Sequence, residues 1–221
     1  MKKWPEYLLL LVALLHLILR REDDLLLMGI TKSLIMPTVI LYYWQGSNQK
    51  NGLVFYWILV ALILSWLGDI FLIWGAQNLY FMLGMAAFFT AHLCYAAAFS
   101  LGGGIGLLQK KPWLALLWLA LAAALYAFLF PGLGVMAIPV GFYTLAIVVM
   151  VLMAFNRYGR VENTAAVWVI AGAISFMFSD SVLAIHRFRI DIAHQQFLVM
   201  PSYIFAQYAI VKGYLGYLNQ Q

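Results

Sequence analysis

The 221-residue sequence has a single cysteine, Cys94, so no disulfide can form within the chain. That excludes the small secreted frameworks held by disulfide bridges. Charge is scarce as well. Asp, Glu, Lys and Arg supply 10% of the residues, against about 25% in an average soluble chain. Disordered chains carry more charge and less apolar bulk than this. No Gly-X-Y period runs through the sequence, so a collagen-like rod is excluded too. No polar stretch is long enough for a soluble module, and the expectation is one transmembrane domain over residues 1–221.

What fills the chain is apolar. Hydrophobic residues make up 66% and the mean hydropathy is +0.93. A chain of this length can bury one core in water, but it cannot hide two thirds of its residues there. The expected class is all-α, a polytopic transmembrane helix bundle. A span takes about 20 apolar residues. Eight runs qualify: 5–19, 25–44, 53–74, 79–100, 113–130, 135–155, 163–185 and 195–211. The first follows Lys2 and Lys3 and is short, like a signal peptide. It leads into Arg20-Arg21-Glu22-Asp23-Asp24 rather than a small-residue cleavage site, so it is expected to be a retained helix. The fifth run is rich in Ala and Leu and carries no side chain of evident chemical use, which suits lipid-facing packing. The connections are short and polar or glycine-rich, among them Gly46-Ser47-Asn48, Gly102-Gly103-Gly104, Pro131-Gly132 and 156–163.

The net charge of +5 gathers at span ends rather than in a basic stripe. It therefore reports orientation, and no nucleic-acid partner is expected. With a cytoplasmic N-terminus, that side holds Lys2, Lys3, Lys50, Lys110, Lys111, Arg157, Arg160 and Lys212. The opposite side holds Arg20, Arg21, Arg187 and Arg189. The imbalance predicts both termini on the cytoplasmic side.

Ionisable residues inside spans are expensive and mark function by default. Lys32 lies in span 2, Asp69 in span 3, His92 in span 4 and Asp180 in span 7. Polar companions are Ser65, Tyr95, Ser179, Ser181, Tyr203 and Gln207, whereas spans 5 and 6 offer almost nothing comparable. At a rise of about 1.5 Å per residue, Lys32, Asp69, Asp180 and Tyr203 fall roughly 7–12 Å below the non-cytoplasmic surface, with His92 and Gln207 deeper. A common depth predicts one polar pocket. Spacing adds to this: Ser65 with Asp69, Phe88 with His92 and Tyr95, and Tyr203 with Gln207 share helix faces. The plainer reading is packing, since Ser and Gln commonly bond between helices and an Asp–Lys pair can simply join them. His16 fits packing or an interface. His186, Arg187, Arg189, Asp191 and His194 fit a solvated loop, in which a metal role for the two histidines has little support. Trp44, Trp57, Trp74 and Trp113 sit near span ends, as interfacial aromatics do. Asp69 with Leu72 ahead of Ala91-His92 echoes Asp180 with Leu183 ahead of Ala206-Gln207, as two related four-helix halves would.

These residues carry a resemblance. Thr31-Lys32-Ser33-Leu34-Ile35-Met36-Pro37, Ser65-Trp66-Leu67-Gly68-Asp69, Phe81 to Gly84, Phe88 through Ala91-His92 to Tyr95, Phe176 through Ser179-Asp180-Ser181 to Ala184, and Tyr203 through Ala206-Gln207 stand in order along the chain. Together they resemble the YhhN family of membrane proteins, which includes lysoplasmalogenases. Ser33 departs from the pattern, where proline is expected after the lysine. The resemblance implies hydrolysis of the vinyl ether bond of lysoplasmalogens to a fatty aldehyde and a glycerophospho-ethanolamine or -choline.

Such a bond breaks by protonation of its β-carbon, capture of the oxocarbenium ion by water, and collapse of the hemiacetal. Two carboxyls can divide that work, as in glycosidases. Asp69 and Asp180 are the candidates, in either assignment, and His92 is a competing acid or water-positioning base. Lys32 would pair with an aspartate or meet the lipid phosphate. Tyr95, Tyr203 and Gln207 would hold glycerol oxygens or water, with Ser65 and Ser181 in support. No metal or other cofactor is called for, and no Gly-x-Ser-x-Gly nucleophile motif occurs. The expected partners are a lysophospholipid within the bilayer, water and membrane lipids. The expected location is a bacterial inner membrane. The same Lys, Asp and His set would also suit a proton-coupled carrier or a lipid-binding protein. Against a carrier, the polar cluster sits toward one face and no inverted repeat or pair of broken helices appears, while Pro37, Pro139 and Pro201 within spans keep that reading open.

Overall fold

A computed structural model of the chain describes residues 4–19, 25–102 and 105–219. Lys2, Lys3, the run from Arg20 to Asp24, and Gly103-Gly104 lie outside them. Among the described residues there is no β-strand, only an isolated bridge between Tyr158 and Val161. The helices are α1 (Trp4–Leu19), α2 (Leu25–Gly46), α3 (Leu53–Ile73), α4 (Asn78–Ser100), α5 (Leu107–Lys110), α6 (Trp113–Leu133), α7 (Ala137–Asn156), α8 (Asn163–Phe188) and α9 (Gln196–Leu218). Apart from the one-turn α5, each coincides with one apolar run. Leu53–Ile73, Asn78–Ser100, the α6–α7 stretch Trp113–Asn156 and Asn163–Phe188 are long and apolar enough to cross a membrane. The molecule is a multi-pass membrane helix bundle.

Two helix ends differ from expectation. Pro131-Gly132 reads as a turn, but α6 runs through both and ends at Gly134, the residue with positive φ (50°). A Cβ on Gly132 would collide with the backbone oxygen of Phe188, so this glycine serves a close approach instead of a turn. α8 extends to Phe188, so His186 and Arg187 form its last turn rather than a loop. His186 Nδ1 accepts a hydrogen bond from the Ile192 amide at 3.2 Å and lies 3.1 Å from Asp191, which ties the chain back after the helix.

The chain packs as two compact units, residues 1–98 with 214–221, and residues 99–213. In the first, α2 packs against both α1 and α3. Thr31 Oγ donates to the carbonyls of Leu27 and Met28, so the 2.9 Å contact with buried His16 is read as a bond donated by His16 Nδ1. Pro37 has no amide proton, which deprives the carbonyl of Ser33, four residues earlier, of its helical donor. The indole of Trp66 on α3 donates to that carbonyl at 2.9 Å. The helix therefore continues through Ser33 despite the proline one turn on, and α2 is pinned to α3 beside Lys32.

In the second unit α6, α7 and α8 pack against one another. α8 and α9 approach at Gly172, where a Cβ would lie 2.8 Å from the Ala206 carbonyl and 2.7 Å from the Ile210 side chain. Small residues let membrane helices approach this closely. Ser175 and Ser179 then donate to the carbonyls of Ser202 and Val199 at 2.8 and 3.0 Å. Between α7 and α8, Arg157 is 1% exposed and donates to the Leu101 carbonyl, while Arg160 donates to the carbonyls of Ser100 and Gly102. These carbonyls close the end of α4, where a helix leaves acceptors without donors. Arg157, counted above as a topological charge, is thus a buried structural group.

Candidate active site

Each unit holds one of the two intramembrane carboxylates. In the first, Asp69 is 3% exposed in the penultimate turn of α3. Lys32 of α2 reaches it, with Nζ 3.7 Å from Oδ1. The Trp66–Ser33 bond holds the two helices in register one turn away, so the pair is set by the same proline that breaks the ladder of α2. Ser65 lies one turn before Asp69 on the same face and is fully buried. Its Oγ has no hydrogen-bond partner among the described residues. Gly68 leaves room for the ring of Phe88, since a Cβ there would lie 2.6 Å from it. Phe88 thus brings α4 against the segment that carries Asp69. His92 and Tyr95 lie farther along α4, both fully buried. Lys32 and Asp69 are brought together as their depth predicts, and a charge pair in the apolar layer is sustained by such a partner.

In the second unit the sequence pointed to Asp180, Ser181, Tyr203 and Gln207. Tyr203 packs its ring edge-on against Phe176, with centroids 5.4 Å apart. Gln207, one turn later on α9, is fully buried. Asp180 has a partner that the sequence did not single out: Tyr143 of α7 donates its hydroxyl to Asp180 Oδ2 at 2.6 Å. This lies at the short end of the usual range for a hydroxyl–oxygen bond. Tyrosine is common here, 13 in the chain, and nothing in its local spacing separates Tyr143 from interfacial or packing tyrosines. The one available signal was position, since Tyr143 is a polar residue inside span 6.

The Tyr143–Asp180 pair lines a cavity of about 340 Å³ enclosed by α6, α7 and α8. The rest of the wall is almost wholly aliphatic, with α6 contributing Leu121, Ala122, Leu125 and Leu129. The two other hydroxyls in it are turned back to their own helices. Thr144 donates to the Val140 carbonyl at 2.8 Å and Ser181 to the Met177 carbonyl at 2.7 Å. Ser181 thus reaches the cavity but offers it little polarity. The fifth run, which reads as packing, forms one wall of this cavity. A concave apolar space with one convergent polar pair is the usual form of a small-molecule site, and its volume is at the low end of the roughly 300–1,000 Å³ range. No group of three His, Cys, Asp or Glu among the described residues is arranged to hold a metal ion.

Comparison with known proteins bears on what these groups do. Lysoplasmalogenase TMEM86A of Bos taurus is 32% identical over 163 residues, which cover 69% of this chain and 62% of that protein. Lysoplasmalogenase TMEM86B of Homo sapiens is 36% identical over 151 residues, 68% of this chain and 59% of that protein. A lysoplasmalogenase of Mycobacterium tuberculosis is 30% identical over 164 residues, 72% and 60% of the two chains. The chain thus spans about three fifths of the length of the curated relatives it matches. No solved structure matches it. The profile of the YhhN family matches residues 27–214, from the start of α2 into the last turns of α9 and across both carboxylates, and the chain belongs to that family.

Proposed function

We propose that this protein is a membrane-embedded hydrolase that cleaves the vinyl ether bond of lysoplasmalogens, consuming one water and releasing a fatty aldehyde and a glycerophospho-ethanolamine or -choline. The observation that carries the reading is the carboxyl of Asp180, hydrogen-bonded by Tyr143 at 2.6 Å in an otherwise aliphatic cavity. The names of the relatives supply the reaction, and the cavity supplies a setting in which that reaction can run.

Vinyl ether hydrolysis needs a proton delivered to carbon, then an anion beside the resulting cation. Protonated at Oδ1, Asp180 would donate to the β-carbon of the enol ether. The carboxylate left behind, held at Oδ2 by Tyr143, would face the oxocarbenium ion. It would then take a proton from the water that adds to that ion, giving the hemiacetal. Collapse of the hemiacetal breaks the carbon–oxygen bond to glycerol, and the aldehyde leaves with both original chain carbons. Preorganised charge of this kind is commonly the largest catalytic contribution. Asp69 is the second catalytic carboxylate in this reading, with Lys32 as its counter-charge, and His92 is the alternative proton carrier. Lys32, Tyr95, Tyr203 and Gln207 are proposed to bind the headgroup, glycerol or water, with Ser65 and Ser181 in support. The excess of Lys and Arg on one set of loops supports placing Lys50, Lys110, Lys111, Arg157 and Arg160 on the cytoplasmic face of a bacterial inner membrane.

Purified protein in detergent tests this directly. Aldehyde release from a lysoplasmalogen is expected for the wild type, and its loss in Asp69→Asn and Asp180→Asn at unchanged thermal stability. Full activity in both variants would remove the carboxylate mechanism. Substrate-dependent flux into sealed vesicles without aldehyde would replace the hydrolase with a carrier.

A further inference from the structure

Building on the hydrolase reading of Asp180, we propose that the α6–α7–α8 cavity binds the single hydrocarbon chain of the substrate, and that its inner end, formed around Leu121, Ala122, Val148 and Ile174, limits the length of chain accepted.

The cavity has a direction. α6, α7 and α8 are joined in order and pack together, so α6 and α8 run the same way and α7 runs against them. Leu129, Val140 and Ala184 therefore stand at one end, and Leu121, Val148 and Ile174 at the other. Asp180 divides this length unequally. At about 1.5 Å per residue, Ala184 is roughly 6 Å beyond it along α8 and Ile174 roughly 9 Å before it. The longer arm is the purely apolar one. A substrate whose enol ether meets Asp180 has its chain beginning at the very next carbons, and the arm toward Ile174 is where those carbons can go.

The chemistry of the wall selects the same occupant. With Thr144 and Ser181 bonded to their own carbonyls, the cavity presents mainly aliphatic groups, with the Phe178 ring and the Met177 thioether, apart from the Tyr143–Asp180 pair. A polar solute in the long arm would leave its own groups unpaired, which is costly. A hydrocarbon chain loses nothing there. Leu121 and Phe178 line the cavity and are also 51% and 49% exposed, so parts of its α6 and α8 walls face the outside of this unit, where lipid chains lie against a membrane protein.

Selection in such a site is steric. A chain leaving the bilayer for a leucine-lined cavity exchanges one apolar surrounding for another. Affinity therefore gains little with each methylene, and discrimination begins where the chain no longer fits. Ala122 is the smallest residue on the α6 wall of the inner arm, so its side chain sets how much of that arm is open.

The test uses the 221-residue chain in detergent and two opposed substitutions. Ala122→Phe fills the inner arm and Ile174→Ala lengthens it. Across lysoplasmalogens of stepped chain length, Ala122→Phe is expected to lower the long-to-short ratio of kcat/KM by at least about tenfold, the scale on which a fitted apolar pocket rejects excess bulk. Ile174→Ala is expected to raise that ratio. Unchanged ratios in both variants overturn the proposal. Binding is read separately with a lysophosphatidylethanolamine carrying a diazirine at its chain terminus. Cross-links are expected on peptides of α6 and α8, and are lost in Ala122→Phe. Cross-links there without aldehyde release from any substrate keep the chain site and remove the hydrolase. Aldehyde release with cross-links confined to α1–α4 keeps the hydrolase and removes the chain site.

Discussion

Removing one oxygen atom tests the Tyr143–Asp180 pair. Tyr143→Phe keeps the ring and deletes the hydroxyl that donates to Asp180 Oδ2 at 2.6 Å. A hydrogen bond to a charged group is worth about 1.5–3 kcal/mol. If that bond is strongest when Asp180 faces the oxocarbenium ion as a carboxylate, its loss falls on the transition state. At about 1.36 kcal/mol per factor of ten, the cost in kcat is roughly 10- to 150-fold. Aldehyde release in detergent is the assay, with melting of the purified variant as the check on folding. Tyr126→Phe is the control: its hydroxyl donates to the Ala137 carbonyl at 3.0 Å in the same unit but does not line the cavity. It should retain wild-type turnover. Combined with Asp180→Asn, Tyr143→Phe should add almost nothing, because the two groups act as one. Two results refute the reasoning: Tyr143→Phe within about twofold of wild type, or a Tyr143→Phe loss that multiplies in full on the residual rate of Asp180→Asn.

Other consequences follow from packing and capping. Trp66→Phe leaves the Ser33 carbonyl without its donor and should destabilise by about 1–3 kcal/mol, the cost of stranding a buried polar group, read as a lower melting temperature. Most of that loss should vanish in a Pro37→Ala background, where residue 37 regains an amide to give Ser33; an equal loss in both backgrounds would break the proposed link. Gly172→Ala pushes a methyl to within 2.8 Å of the Ala206 carbonyl. An overpacking cost of about 1–3 kcal/mol is expected in thermal denaturation. Glu162 caps α8 by accepting from the amides of Thr164 and Ala165 at 2.9 and 2.8 Å. Hydrogen bonding from Thr164, then from the backbone of Ala165, lowers its carboxyl below the usual glutamate value. Its capping contribution is therefore complete above the ordinary glutamate range and fades as pH falls through the lowered value. A fall in the protection factors of the Thr164 and Ala165 amides with acidification, after correction for the intrinsic pH dependence of exchange and absent in Glu162→Gln, would report it.

The bundle was readable because spans are written in composition. Each apolar run became one helix, with ends that moved, as where α6 runs through the expected connection Pro131-Gly132 and stops before Gly134, which has positive φ. Lys32 was readable as a partner for an aspartate because charges in an apolar layer are few and their depths could be counted, but depth alone did not choose between Asp69 and Asp180, and the structure places it beside Asp69. Tyr143 was hidden for the opposite reason. Tyrosine is plentiful in a membrane chain, and its role is fixed by a neighbour 37 residues away. The cavity face of α6 was not legible, because an Ala/Leu helix facing lipid and one facing an apolar cavity have the same composition. Arg157 was hidden by its own charge, which pointed to solvent while its guanidinium is buried under the end of α4.

That last residue serves at two different times. If the excess of Lys and Arg sets the orientation, a positive charge between α7 and α8 is part of that address during insertion, and any cation conveys it. Once the chain has folded, the same charge sits inside the protein, with its guanidinium donating to the Leu101 carbonyl. Lysine at 157 would preserve the instruction without the guanidinium that makes this bond. A neutral isostere would lose the instruction and retain most of the shape. Biogenesis and architecture are thus written in one side chain, and the two substitutions separate them.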